Sequence, residues 1–139
     1  MTAIRKLKAC AGAMLFACLL AGPAAIAAED DPWPGIAKEV FAGKEIAETQ
    51  DMVLDAPYRA EDAGVVPIAI KLPAALAEKV TKLTLIIDKN PMPVVAAFTF
   101  GPAAATGERS LALRVRFDMY SNLRAIAETS DGKLLMVSR

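Results

Sequence analysis

Between Asp51 and Ser138 apolar residues recur at every second position, in short runs broken by Gly, Pro, Asn and Asp. Side chains alternate between the two faces of a strand, so this period marks half-buried strands. The clearest run is Ser110–Tyr120. Leu111, Leu113, Val115, Phe117 and Met119 point one way, and Ser110, Ala112, Arg114, Arg116, Asp118 and Tyr120 the other. Further strands are expected over Asp51–Asp55, Gly64–Lys71, Lys82–Asp88 and Pro93–Gly101, the last with Val94, Ala96, Phe98 and Phe100 on one side. Pro67 has no N–H to donate, so its strand should lie at an edge or carry a bulge. Leu72–Val80, with Pro73 and three alanines, is a connection with room for one helical turn. Asn122–Thr129 and Lys133–Ser138 read as a hairpin closed by Ser130-Asp131-Gly132, where glycine can take the left-handed turn position.

Only the start of this region has helical spacing. Trp33, Ile36, Val40 and Phe41 recur at that period, and Gly43 is a natural stop, which predicts a short helix over 35–42. Seven short strands with turn signals about every 8–12 residues, and no long helical pattern, imply two packed sheets. The expected fold is all-β: an Ig-like antiparallel β-sandwich of about seven strands with a short N-terminal helix. The sequence lacks the Cys…Trp…Cys hallmark of antibody domains, which leaves an Ig-like topology open.

The first 27 residues have a different character. Arg5, Lys6 and Lys8 precede the apolar run Ala9–Leu20; Pro23 breaks it, and Ala25-Ile26-Ala27 fits the small-x-small cleavage rule. This is the pattern of a secretory signal peptide over 1–27, with 28–139 as the exported domain. The run is too short for a membrane-crossing helix of about 20 residues, so no membrane association is expected after cleavage. Leu15-Phe16-Ala17-Cys18 is a poor lipoprotein box, because Phe16 is bulky and apolar residues follow the cysteine.

Cleavage changes the chemistry. Three of 16 basic side chains leave and none of 16 acidic ones, so 13 remain against 16, a net charge of −3. A mildly acidic domain has no basic footprint for nucleic acid. Cys10 and Cys18, the two cysteines, also leave, and the chain has no histidine. Ser-His-Asp and Cys-His catalysis, the usual zinc and copper ligand sets and covalent haem are thereby excluded. Gly101-Pro-Ala-Ala-Ala-Thr-Gly107 has the outline of a phosphate loop, but Glu108-Arg109 stands where Lys-Ser/Thr is required. No catalytic, cofactor-binding or metal-binding residue is expected, and the chain is not expected to be an enzyme.

Several pieces recur together in a known pattern. These are a helix with a Trp-Pro lead-in, Val65-Val66-Pro67-Ile68, the corner Asp88-Lys89-Asn90-Pro91-Met92-Pro93, the strand around Arg114 and Arg116, and the Asp131-Gly132-Lys133 hairpin. In order and spacing they resemble the SoxY family, the periplasmic sulfur-carrier subunit of bacterial thiosulfate oxidation. The resemblance implies a periplasmic location, a SoxZ-like β-sandwich as partner, and sulfur carried on a cysteine in a Gly-Gly-Cys tail after the last strand. A related group fuses SoxY-like and SoxZ-like halves and accompanies quinoprotein dehydrogenases. Leu134-Leu135-Met136-Val137-Ser138-Arg139 is that last strand and carries no such tail. The expectation is a SoxY-like carrier subunit cut short before its cysteine. The alternative is a non-catalytic binding or assembly module that pairs with a SoxZ-like partner without carrying substrate. Were Lys133–Ser138 an edge strand, the domain would be only marginally stable.

Other candidate chemistry is weaker. Arg114, Arg116 and Tyr120 could dock a partner or an anion from one strand face, although a solvated face is the simpler account. Asp30-Asp31 and Glu61-Asp62 lack the ligand density of a Ca²⁺ site. Met52, Met92, Met119 and Met136 could offer soft thioether ligands, yet Met119 and Met136 fall in strand patterns that suit core filling. Trp33 is expected to anchor the helix.

Overall fold

The period-two rows become two sheets packed face to face, with the N-terminal helix laid on the outside of the larger one. The computed structural model describes residues 30–104 and 106–139. The signal peptide expected over 1–27 lies outside them. Helix α1 (Trp33–Phe41) leads into strands β1 (Ile46–Glu48), β2 (Val53–Asp55) and β3 (Val66–Leu72). The turn α2 (Ala74–Ala77) follows, then β4 (Val80–Ile87), β5 (Val94–Thr99), β6 (Arg109–Val115), β7 (Leu123–Thr129) and β8 (Leu134–Ser138). The larger sheet has the order β1-β8-β7-β4-β5 and the smaller β2-β3-β6. Every pairing is antiparallel except β1 with β8, which is parallel.

β4 is the axis of the fold. Leu83, Leu85 and Ile87 face the smaller sheet, where they meet Ile68, Ile70 and Leu72. Ile86 faces the other way and joins Ile36 and Phe41 of α1, with Ile126, Leu134 and Met136. A strand covered on both faces reads as a continuous apolar run, which is why Leu83–Ile87 shows so little alternation. Each such side chain contributes about 1.5–3 kcal/mol by leaving water. At the end of α1, Ala42 takes a left-handed conformation (φ 54°) and Gly43 follows at φ 73°, so the helix stops where the glycine predicted.

Five local expectations need correction. β8 is not an edge strand: β1 pairs with its far side, and three residues reading Ile-Ala-Glu carry too little pattern to announce themselves. β3 is not an edge strand either, although β2 has run out by the pair Asp55–Ala69, so Pro67 has only the β6 neighbour. The first strand is shorter than Asp51–Asp55 and begins at Val53. In β5 an extra residue opposite Leu85/Ile86 makes a bulge, so Val94 pairs with Ile86 and is exposed instead of sharing the inner row with Ala96 and Phe98. β6 ends at Val115, five residues early, and Met119 is 54% exposed instead of filling core. The backbone beyond Val115 is taken elsewhere: the Phe117 N–H donates to Ala63, and the flanking groups go to Asn90, described below.

The β7–β8 turn forms as expected, with Gly132 at φ 81°. The Asp131 carboxyl is pulled down to about 2, first by the Thr129 hydroxyl and then by Lys133. A depressed folded-state value adds stability above the ordinary 3.8 and loses it as pH falls toward 2. We expect carbon-13 titration of Asp131 to centre near 2, and Thr129→Val to move the midpoint up toward the ordinary value. In the core, Leu85 is fully buried, and Leu85→Ala is expected to cost about 2–5 kcal/mol in urea denaturation with an unchanged m-value.

Candidate functional site

The corner between β4 and β5 organises one end of the sandwich. Asp88, at the end of β4, is 4% exposed, and Arg124 of β7 is 8% exposed. The Arg124 Nε–H donates to both Asp88 oxygens (2.9 and 3.0 Å), and Nη2 to Oδ2 (2.8 Å). Asn122 Nδ2 lies 3.4 Å from the same Oδ2. The outer face of the guanidinium is covered by the Trp33 ring, 4.3 Å from its centroid. Trp33 is therefore the helix anchor expected of it, through a cation–π contact that sequence spacing could not reveal.

The next residues reach across to the chain after β6. Lys89 N–H donates to Ser121 Oγ (2.9 Å). Asn90 uses both ends of its amide: Nδ2 donates to the Arg116 carbonyl (2.8 Å), and Oδ1 accepts from the Asp118 N–H (3.0 Å). These bonds consume the backbone groups that a longer β6 would have used. Asn90 thus clamps a distant segment, rather than only shaping its own turn.

The segment that Asn90 holds supplies Phe117, Met119 and Tyr120 to the lining of a hollow of about 380 Å³. Tyr58, Arg59 and Arg139 line it as well. Arg139 is fixed by two backbone bonds with Leu123 (2.8 and 2.9 Å). The rings of Tyr58 and Tyr120 meet edge to face, with centroids 5.7 Å apart. A hydrogen bond with Tyr58 raises the Tyr120 pKa above the ordinary phenol value, helped by partial desolvation and opposed by the charge of Arg59. None of the lining side chains is a carboxylate.

The other sequence candidates fall apart in space or into structural duties. Arg114 lines a separate shallow depression beside Pro67, Arg116 pairs with Asp118 at 3.0 Å, and Tyr120 belongs to the hollow. Met52 and Met136 are buried in different clusters, while Met92 and Met119 are exposed. Asp31 accepts the Trp33 N–H, and Asp62 the Gly64 N–H at 2.7 Å. Among the described residues no group of three His, Cys, Asp or Glu could hold a metal ion. Arg109, read only as the wrong residue for a phosphate loop, proves to be a clamp. It donates to the carbonyls of Ala77 (3.1 Å), Val80 (3.3 Å) and Ala104, and lies 3.8 Å over the Phe100 ring. Burial lowers its pKa from the ordinary value.

The architecture is that of an Ig-like β-sandwich carrying a helix on its larger sheet. The family model of the sulfur oxidation protein SoxY matches residues 37–139, and the chain belongs to the SoxY family. The sulfur carrier protein SoxY from Chlorobium limicola f thiosulfatophilum has the same fold, with a TM-score of 0.59 and 24% identity, over 78% of this chain and 92% of its own. A superoxide reductase (neelaredoxin) from Ignicoccus hospitalis is similar at a TM-score of 0.48 and 15% identity, over 66% of this chain and 78% of its own. No curated protein matches the sequence.

Removing one partner of the buried ion pair strands the other charge. Asp88→Leu is expected to cost about 3–5 kcal/mol, and the double variant Asp88→Leu/Arg124→Met to recover much of that loss, both measured by urea denaturation.

Proposed function

We propose that this chain is the folded body of a periplasmic SoxY-type sulfur-carrier subunit that pairs with a SoxZ-like β-sandwich and catalyses nothing by itself. The observation that carries this is the SoxY family match over nearly the whole of the domain expected to be exported. The signal-peptide pattern of residues 1–27 supports the periplasmic location.

Carriage of sulfur needs a thiol, and residues 28–139 hold no cysteine. The proposal therefore places the carrier cysteine on a segment following Arg139. Such a segment would start from a fixed point, because Leu123 holds Arg139, which lines the aromatic hollow. The second reading is a module that occupies a SoxZ-like partner without carrying substrate, and the thiol-free composition of the domain favours it.

DNA sequencing past the codon for Arg139 separates the two. A frame that continues into a Gly-Gly-Cys segment supports the carrier, and intact mass of that product after incubation with the thiosulfate-oxidising components should then show sulfur adducts removed by a reductant. A stop codon directly after Arg139 sinks covalent carriage and leaves the assembly module.

A further inference from the structure

We infer that the outer edge of β5 is where the partner subunit adds a β-strand, a surface that rests on the SoxZ-like pairing proposed above. Of the four sheet edges, three are defended. β1 and β2 are three residues long and carry or adjoin Glu45, Glu48, Asp51 and Asp55. β6 carries Arg109 and Arg114. β5 reads Val-Val-Ala-Ala-Phe-Thr; beyond Pro93 and the bulge at its start, the regular stretch Ala96–Thr99 has no charge, no proline and no further bulge. Native edges are blunted by shortness, charge or proline unless something covers them.

The backbone specifies what would cover it. Phe100 N–H donates to the Thr81 carbonyl at 2.8 Å, and Phe98 is in register with Leu83. The polar groups of Phe98 and Phe100 thus face β4, and by the alternation of a strand those of Ala97 and Thr99 face away from it. Two N–H and two C=O groups stand in a row there, which an extended strand satisfies.

The side chains point to the same occupant. β5 and β6 are the terminal strands of the two sheets. Arg109 on Phe100 ties the end of β5 to the start of β6, and Asn90, ahead of β5, bonds Arg116 and Asp118 after β6. Between those ties the inner row is incompletely covered. Phe98, Leu111 and Leu113 face inward yet are only partly buried, whereas Leu83, Leu85 and Ile70 are fully buried. A strand added to β5 would lie about 4.8 Å away, and every second side chain would reach over this seam. The occupant is therefore a strand with an apolar inward row, from the partner sandwich.

The test uses a purified SoxZ subunit as partner. Hydrogen exchange of the Ala97 and Thr99 amides is measured with and without it, together with the affinity of Ala97→Pro. Proline there removes an outward N–H and leaves the β4 ladder whole. Expected are fast exchange in the free chain, at least tenfold slower exchange at both amides in the complex, and at least tenfold weaker binding by a variant whose thermal transition is unchanged. If Ala97→Pro fails to fold, the exchange data on the unaltered chain decide alone. A complex in which both amides stay unprotected overturns the β5 assignment while the pairing stands. No complex at all overturns the pairing and, with it, this inference. Protection that rises with concentration of the chain alone assigns the edge to a second copy and also overturns it.

Discussion

The carboxylate of Asp88 and the guanidinium of Arg124 are buried where β4, β7 and α1 come together, and most of what is distinctive about the structure follows from how they meet. Two charges out of water are stabilising as a pair only when geometry is good and their remaining hydrogen-bonding capacity is met. Here Nε and Nη2 of one side chain reach both oxygens of the other, Asn122 lies beside one oxygen, and an indole covers the cation. The direction in which β4 leaves the sheet is thereby fixed. Asn90, two residues on, then faces the backbone of Arg116 and Asp118. From that placement come the early end of β6 and part of the lining of the aromatic hollow.

How far the sequence discloses this differs from element to element. α1, β3, β4, β7 and β8 follow from periodicity, because each has a row of apolar residues long enough to outweigh local noise. Most of the misreadings depend on pairing geometry or contacts that no run of residues along the chain displays. β6 keeps its alternation through Met119, so nothing local signals that Asn90 has claimed the backbone after Val115. Val94 is turned outward by a register shift against β4, which no count along β5 could detect. The charge pair lies 36 residues apart; Asp88 is legible only as part of its Asn-Pro corner, and nothing along the chain points to Arg124. Tyr58 passes unnoticed for the same reason, since only folding brings it to Tyr120.

A shared scaffold does not by itself confer chemistry, and here the two are physically separable. The described residues supply a rigid sandwich, an aromatic hollow without carboxylates and a bare sheet edge. None of these is reactive. Each is suited to holding another molecule in place.

The one parallel pairing among the described residues, β1 with β8, joins the first described strand to the eighth. Ile46 finds its neighbour at Leu134, so β1 has no seat in the sheet until β8 is in place. A polypeptide threaded through a narrow passage with its N-terminus leading would emerge with β1 and α1 lacking the surface they close upon. Pairings this distant in sequence are slow to form. β8 thus acts as the latch that closes the larger sheet over β1.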